Sequence, residues 1–183
     1  MRWSLVLALT AGIVTSSCGS GTNPSGSGTL RMMLKDGPFS DAKALLVTFS
    51  EVDVHKSDTV DDAWIKIAGE KTCDLKRLET AQTVLGSQPL DSGHYTQVRL
   101  VVTSAVVYFD GESTGDACAA VAPAGAKANV TIPSGEVKLI RGFDVPEGDT
   151  KTMLLDFDGD KSVHMTSSGQ YMMSPVISVV SVQ

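Results

Sequence analysis

The sequence is poor in basic charge, and what it has never forms runs. Fifteen Lys and Arg stand against twenty-one Asp and Glu. No basic run exceeds two residues, so no cationic stripe exists to follow a phosphate backbone, and nucleic acid is not an expected partner. Aromatics make up 5% of the chain, with two Trp, which leaves few platforms on which sugars could stack. Catalytic signatures are missing too. There is no G-x-S-x-G elbow, no H-E-x-x-H and no P-loop, so no nucleophile, zinc or phosphate chemistry is announced and no enzyme is expected. Cysteine is scarce, at three residues.

What the chain does have begins at its N-terminus. Arg2 precedes the largely apolar run "WSLVLALTAGIV" at residues 3–14. Twelve residues fall short of the roughly 20 that cross a bilayer as a helix, but they suit the core of an export signal. Thr15-Ser16-Ser17-Cys18 resembles the bacterial lipobox, with Thr15 where Leu is usual. That resemblance implies cleavage after residue 17 and acylation of Cys18, which would tether the protein to a membrane almost permanently. Gly19 rather than Asp after the Cys points to the outer membrane. "GSGTNPSGSG" at residues 19–28 holds nothing apolar and reads as a flexible linker. The expected layout is therefore a signal peptide over 1–17, an acylated Cys and linker over 18–28, and a folded domain over 29–183.

The domain alternates apolar and polar residues with period two. In residues 95–109, Val98, Leu100 and Val102 share one face and Gln97, Arg99 and Thr103 the other. Turn signals separate some eight to ten such segments. One segment departs: Leu75, Leu78, Ala81 and Leu85 recur at helical spacing, with Asp74 as N-cap and Gly86 just past the end. The expectation is an all-β, antiparallel β-sandwich of transthyretin-like or Ig-like kind with one short helix, and a closed barrel is the alternative. Cys73 and Cys118 are left to pair in an oxidising compartment, closing the long Gly/Ala-rich loop around Cys118.

Several constellations invite a chemical reading. Asp156, Asp158 and Asp160 sit at every second position in "MLLDFDGDKSVHM". An EF-hand begun at Asp156 would need Gly at its sixth place and Glu at its twelfth, where Lys161 and Ser167 stand. Alternation sends Met153, Leu155 and Phe157 inward, which leaves Asp156 and Asp158 facing solvent and Asp158-Gly159-Asp160 as a tight turn. A calcium site on these three Asp is the alternative. Glu51, Asp53 and His55 share a strand face and are expected to be a solvated surface rather than a metal grip. His55, His94 and His164 fall at strand ends or turns. Trp64 is expected to pack into the sandwich, and the Met pairs 32–33 and 172–173 to point each to opposite faces as core filler.

The stretches "GTLRMMLKDGPFSDAKALLVTFSEVDVHKSD", "CDLKRLETAQTVLGSQPLDSGHYTQVRLVV" and "VPEGDTKTMLLDFDGDKSVHMTSSGQYMMSPVI" resemble the bacterial envelope family labelled domain of unknown function 4382. The similarity covers most of residues 29–180, and its most specific part is the Leu-Asp-Phe-Asp…Lys-Ser-Val block. The Cys118 loop departs from it, being longer and carrying an added Cys. The resemblance implies a β-rich exported lipoprotein and no established activity, so it carries over no catalytic residue. Together these observations lead us to expect a lipid-anchored envelope protein with a non-enzymatic binding or structural role. Its partner would be another envelope protein or a glycan, and it would need no cofactor unless the calcium alternative holds.

Overall fold

The computed structural model describes residues 26–37, 40, 42–57 and 64–183. The leader, Cys18 and the linker as far as residue 25 lie outside the described residues. In chain order the elements are β1 (Ser27–Asp36), β2 (Ala44–Lys56), β3 (Trp64–Ala68), β4 (Lys71–Asp74), α1 (Leu75–Leu78), β5 (Thr83–Asp91) and β6 (Gly93–Tyr108). They continue with β7 (Lys127–Thr131), β8 (Glu136–Val145), β9 (Thr150–Phe157), α2 (Gly159–Ser162), β10 (Val163–Met165), β11 (Tyr171–Met173) and β12 (Ile177–Val182). The first strand thus starts two residues inside the expected linker. Gly28 is required there, because a Cβ would stand 2.2 Å from the Pro146 carbonyl oxygen.

Two sheets form a sandwich. The smaller runs β12-β9-β1-β5 and the larger β10-β11-β7-β6-β2-β3, with β4 also on β2 and β8 also on β6. Pairing is antiparallel except for β1 with β9 and β11 with β7, which run parallel. The alternation predicted for β9 holds: Met153, Leu155 and Phe157 are fully buried, and they lie opposite Met32, Leu34 and Asp36 of β1. Across the core stand Val47, Phe49, Val52 and Val54 of β2 and Val98, Leu100 and Val102 of β6. The inward set of β2 switches from odd to even numbers at a register shift between Thr48 and Glu51. One extra residue there moves the following side chains to the other face. Phe49 and Phe157 join the layers edge to face at 6.1 Å. Each Met pair splits as expected, Met32 and Met173 buried and Met33 and Met172 half-buried.

The helical reading of residues 74–86 holds only at its start. Asp74 caps α1, its Oδ1 accepting from the Lys76 N–H at 3.1 Å. The helix then stops at Leu78, and Leu85 and Gly86 belong to β5. Leu85 is buried from a strand that pairs antiparallel with β1, where Gly86 lies opposite Met32. The full ladder with β1 wins over a helical spacing that only four apolar residues support. Gly86 is not a helix terminator but a point of close approach: a Cβ would meet the Ile67 carbonyl oxygen of β3 at 2.8 Å and the Ala68 Cβ at 2.7 Å.

A disulfide joins Cys73 of β4 to Cys118 in the loop between β6 and β7. The loop is stitched down further by the Asp74 N–H to the Ala117 carbonyl at 2.7 Å and by the Ser113 hydroxyl to Asp74 Oδ2 at 2.5 Å. Asp74 is buried and its carboxylate serves three donors, the third being the Leu45 N–H at 3.1 Å. Those bonds offset the cost of burying its charge.

Candidate functional site

The residue patterns bring carboxylates to one end of the sandwich, where β1 and β9 finish side by side and the chain enters α2. Alternation along β1 sends Leu30, Met32 and Leu34 inward, and the same alternation carries Asp36 inward after them. Asp36 is 4% exposed. Its Oδ1 accepts from the Gly159 N–H, the first of α2, at 3.1 Å, and its Oδ2 is buried with no partner. Burial pushes the Asp36 carboxyl up to about 8; the Gly159 N–H pulls the other way, and the charges of Glu79, Asp156 and Asp158 add to the rise. An open cleft of about 310 Å³ flanks it, walled by Lys35, Asp36, Leu78, Glu79 and Gln82 among others.

The three predicted Asp are near this point but do not act together. Asp156 lies opposite Lys35 in the parallel register, and the Lys35 Nζ reaches its Oδ2 at 2.7 Å. It faces outward as expected, its side chain 27% exposed, although its Oδ1 is buried and unpartnered. Asp158 and Gly159 do not form a tight turn. Asp158 caps α2, accepting from the Lys161 N–H at 3.0 Å and from the Lys161 Nζ at 2.6 Å. Those hydrogen bonds hold its carboxyl below the usual range. Asp160 is exposed in the first turn of α2. Among the described residues no three His, Cys, Asp or Glu side chains converge in a way that could hold a metal ion. No motif marks Asp36, but the alternation of β1 does: it is the inward position that follows Leu30, Met32 and Leu34.

The outer face of the larger sheet carries the second cluster. Arg99 of β6 lies opposite Asp53 of β2 and reaches its Oδ2 from Nη2 at 2.6 Å and from Nε at 3.1 Å, with Glu51 at 3.5 Å. Glu51 and Asp53 therefore grip a guanidinium, and Asp53 is not solvated as expected but 3% exposed. Trp64 does not enter the core either. It sits half-buried on this outer face, with the Arg99 guanidinium 4.6 Å and the Lys138 Nζ 5.8 Å from its ring and the His55 ring at 5.5 Å. The ring shields the Asp53–Arg99 pair, and the cations sit against its negative face.

His94 Nδ1 lies 2.8 Å from Asp144 Oδ1 at the surface, and the nearby Ser57 hydroxyl donates to the His94 main-chain carbonyl, not to its ring. That arrangement leaves the serine unactivated by the histidine. His55 Nδ1 is 3.2 Å from the Thr96 hydroxyl, and His164 is exposed on β10. A second cleft of about 290 Å³ opens beside α1, lined by Lys43, Asp74, Lys76, Arg77, Glu112 and Ser113. Arg77 donates from Nη1 to the Gly115 carbonyl, and Lys76 pairs with Glu79 at 2.5 Å.

The family model described as Domain of unknown function (DUF4382) matches residues 27–175. The match opens at the first residue of β1 and closes just beyond β11, leaving β12 outside. No curated protein and no solved structure matches the chain. A match from β1 through β11 covers most of both sheets, and on that ground the chain belongs to the DUF4382 family.

Proposed function

We propose that the protein is a lipid-anchored component of the bacterial cell envelope, held at the outer membrane through Cys18, and that its sandwich is a non-enzymatic binding or structural module. The observation that carries this reading is in the sequence: a charged start, a short apolar run, a Cys behind small residues, and a Gly/Ser linker ahead of the folded body. The architecture supports a binding role without chemistry. The polar clusters on the described surface are spent on internal pairs, whereas β8 pairs with β6 on one side only, among the described strands, and carries Ile140 at 88% exposure. Such an edge accepts a partner strand through main-chain hydrogen bonds. The partner class is another envelope protein, with a surface glycan as the other possibility.

Mass spectrometry of the mature N-terminus from membranes tests the anchor. The expected result is an N-terminal peptide that begins at Cys18 and carries acyl chains. A mature chain with an unmodified Cys18, or one that begins elsewhere, would refute it.

A further inference from the structure

We propose that Asp36 is a proton-operated latch: while its carboxyl is neutral, the end of α1 and the start of α2 stay seated on the open end of the sandwich, and loss of the proton releases them.

Asp36 is the joint between three elements. It belongs to β1, accepts the first main-chain N–H of α2, and forms the cleft wall that faces Leu78 and Glu79 at the end of α1. Its free oxygen has essentially no accessible surface, so in the closed form nothing larger than a proton reaches it. The charges around it come from every neighbouring element. Glu79, the C-cap of α1, is paired with Lys76, Asp156 on β9 with Lys35, and Asp158 ahead of α2 with Lys161. Lys35 itself extends from β1 to Asp156 at 2.7 Å. Each lysine is thus occupied by another carboxylate, and Asp36 Oδ2 is left without a cation.

A bare carboxylate in that position is unfavourable twice over, through lost hydration and through repulsion from Glu79, Asp156 and Asp158. A proton removes both penalties. Once the proton leaves, the remaining relief is water, and the cleft between β1 and residues 78–82 is where water can enter. Opening there draws the end of α1 away and weakens the seat of α2.

Hydrogen exchange on the full chain, normalised to the intrinsic rate at each pH, tests this. Raising the pH from about 6 to about 9.5 is expected to lower protection of residues 78–82 and 158–162 by about tenfold or more, with exchange there staying faster than in residues 44–56, which follow global unfolding. Asp36→Asn, which keeps the shape of the neutral acid, is expected to abolish the response. Glu79→Gln removes one repelling charge and is expected to make the loss of protection smaller and to level it off at a lower pH, which keeps the test decisive should Asp36→Asn fail to fold. Unchanged protection in the wild type, a normal response in Asp36→Asn, or an undiminished response in Glu79→Gln would each overturn the latch.

Discussion

Replacing Arg99 with Met is the perturbation that best probes the outer face. Arg99 supplies two N–H bonds to a single oxygen of Asp53, at 2.6 and 3.1 Å, and stacks 4.6 Å from Trp64. Methionine retains much of the aliphatic stem but removes the charge, leaving the Asp53 carboxylate, 3% exposed, with its main partner gone. Stranding one member of a buried pair costs about 3–5 kcal/mol. The lost cation–π contact adds about 1 kcal/mol at a half-exposed ring. A total of about 4–6 kcal/mol, divided by a urea dependence of about 2 kcal/mol per molar, lowers the unfolding midpoint by about 2–3 M. The decisive comparison is the double variant Asp53→Met/Arg99→Met. With the charge removed from both sides, most of the loss is expected to return, leaving a deficit of about 1 kcal/mol. If the double variant is as unstable as the two single losses added together, the pair does not carry the energy assigned to it.

Three further outcomes follow from the geometry. Cys73→Ala/Cys118→Ala opens a loop with a sequence separation of 45 residues and is expected to cost about 4 kcal/mol in the same urea assay; an unchanged midpoint would show that the loop is held without the bridge. Asp36 holds its proton more tightly folded than unfolded, so its contribution to stability is lost as pH rises from its ordinary 3.8 to about 8. At about 1.4 kcal/mol per pH unit the ceiling is about 6 kcal/mol. Asp36→Asn is expected to flatten that slope in chemical denaturation at several pH values, and equal slopes would contradict it. Gly86→Ala drives a methyl against the Ile67 carbonyl and Ala68 and is expected to cost about 1–3 kcal/mol in thermal unfolding, whereas a neutral effect would mean that β3 and β5 can part freely.

The residues of β9 and β6 declare their faces because a half-buried strand writes its burial directly into alternate positions. Met153, Leu155 and Phe157 could be placed inward without any partner in view, as could Val98, Leu100 and Val102. Asp74 was legible as a cap because the capping bond is local, to Lys76. The departures from local pattern share a cause. Leu85 and Gly86 looked helical because their true partner, β1, lies some fifty residues upstream. Asp158 and Gly159 offer the same chemistry to a tight turn and to a one-turn helix, and only the Lys161 N–H decides between them. Trp64 and Asp53 depart from the environments their local sequence suggests because each is covered by a residue from another strand, Arg99. Asp36 owes its burial to Gly159, 123 positions away, and no local motif marks such a contact.

The parallel pairing of β1 with β9 fixes a sequence of events. Lys35 and Asp156 stand 121 residues apart, so β1 must wait for a strand made long after it. Closing so long a loop is entropically costly before any contact rewards it, and such chains fold slowly. Until β9 emerges, β1 has only β5 beside it, and the smaller sheet lacks half its order β12-β9-β1-β5. A nascent chain in that condition carries an unfinished sheet whose β1 edge stays uncovered until β9 arrives.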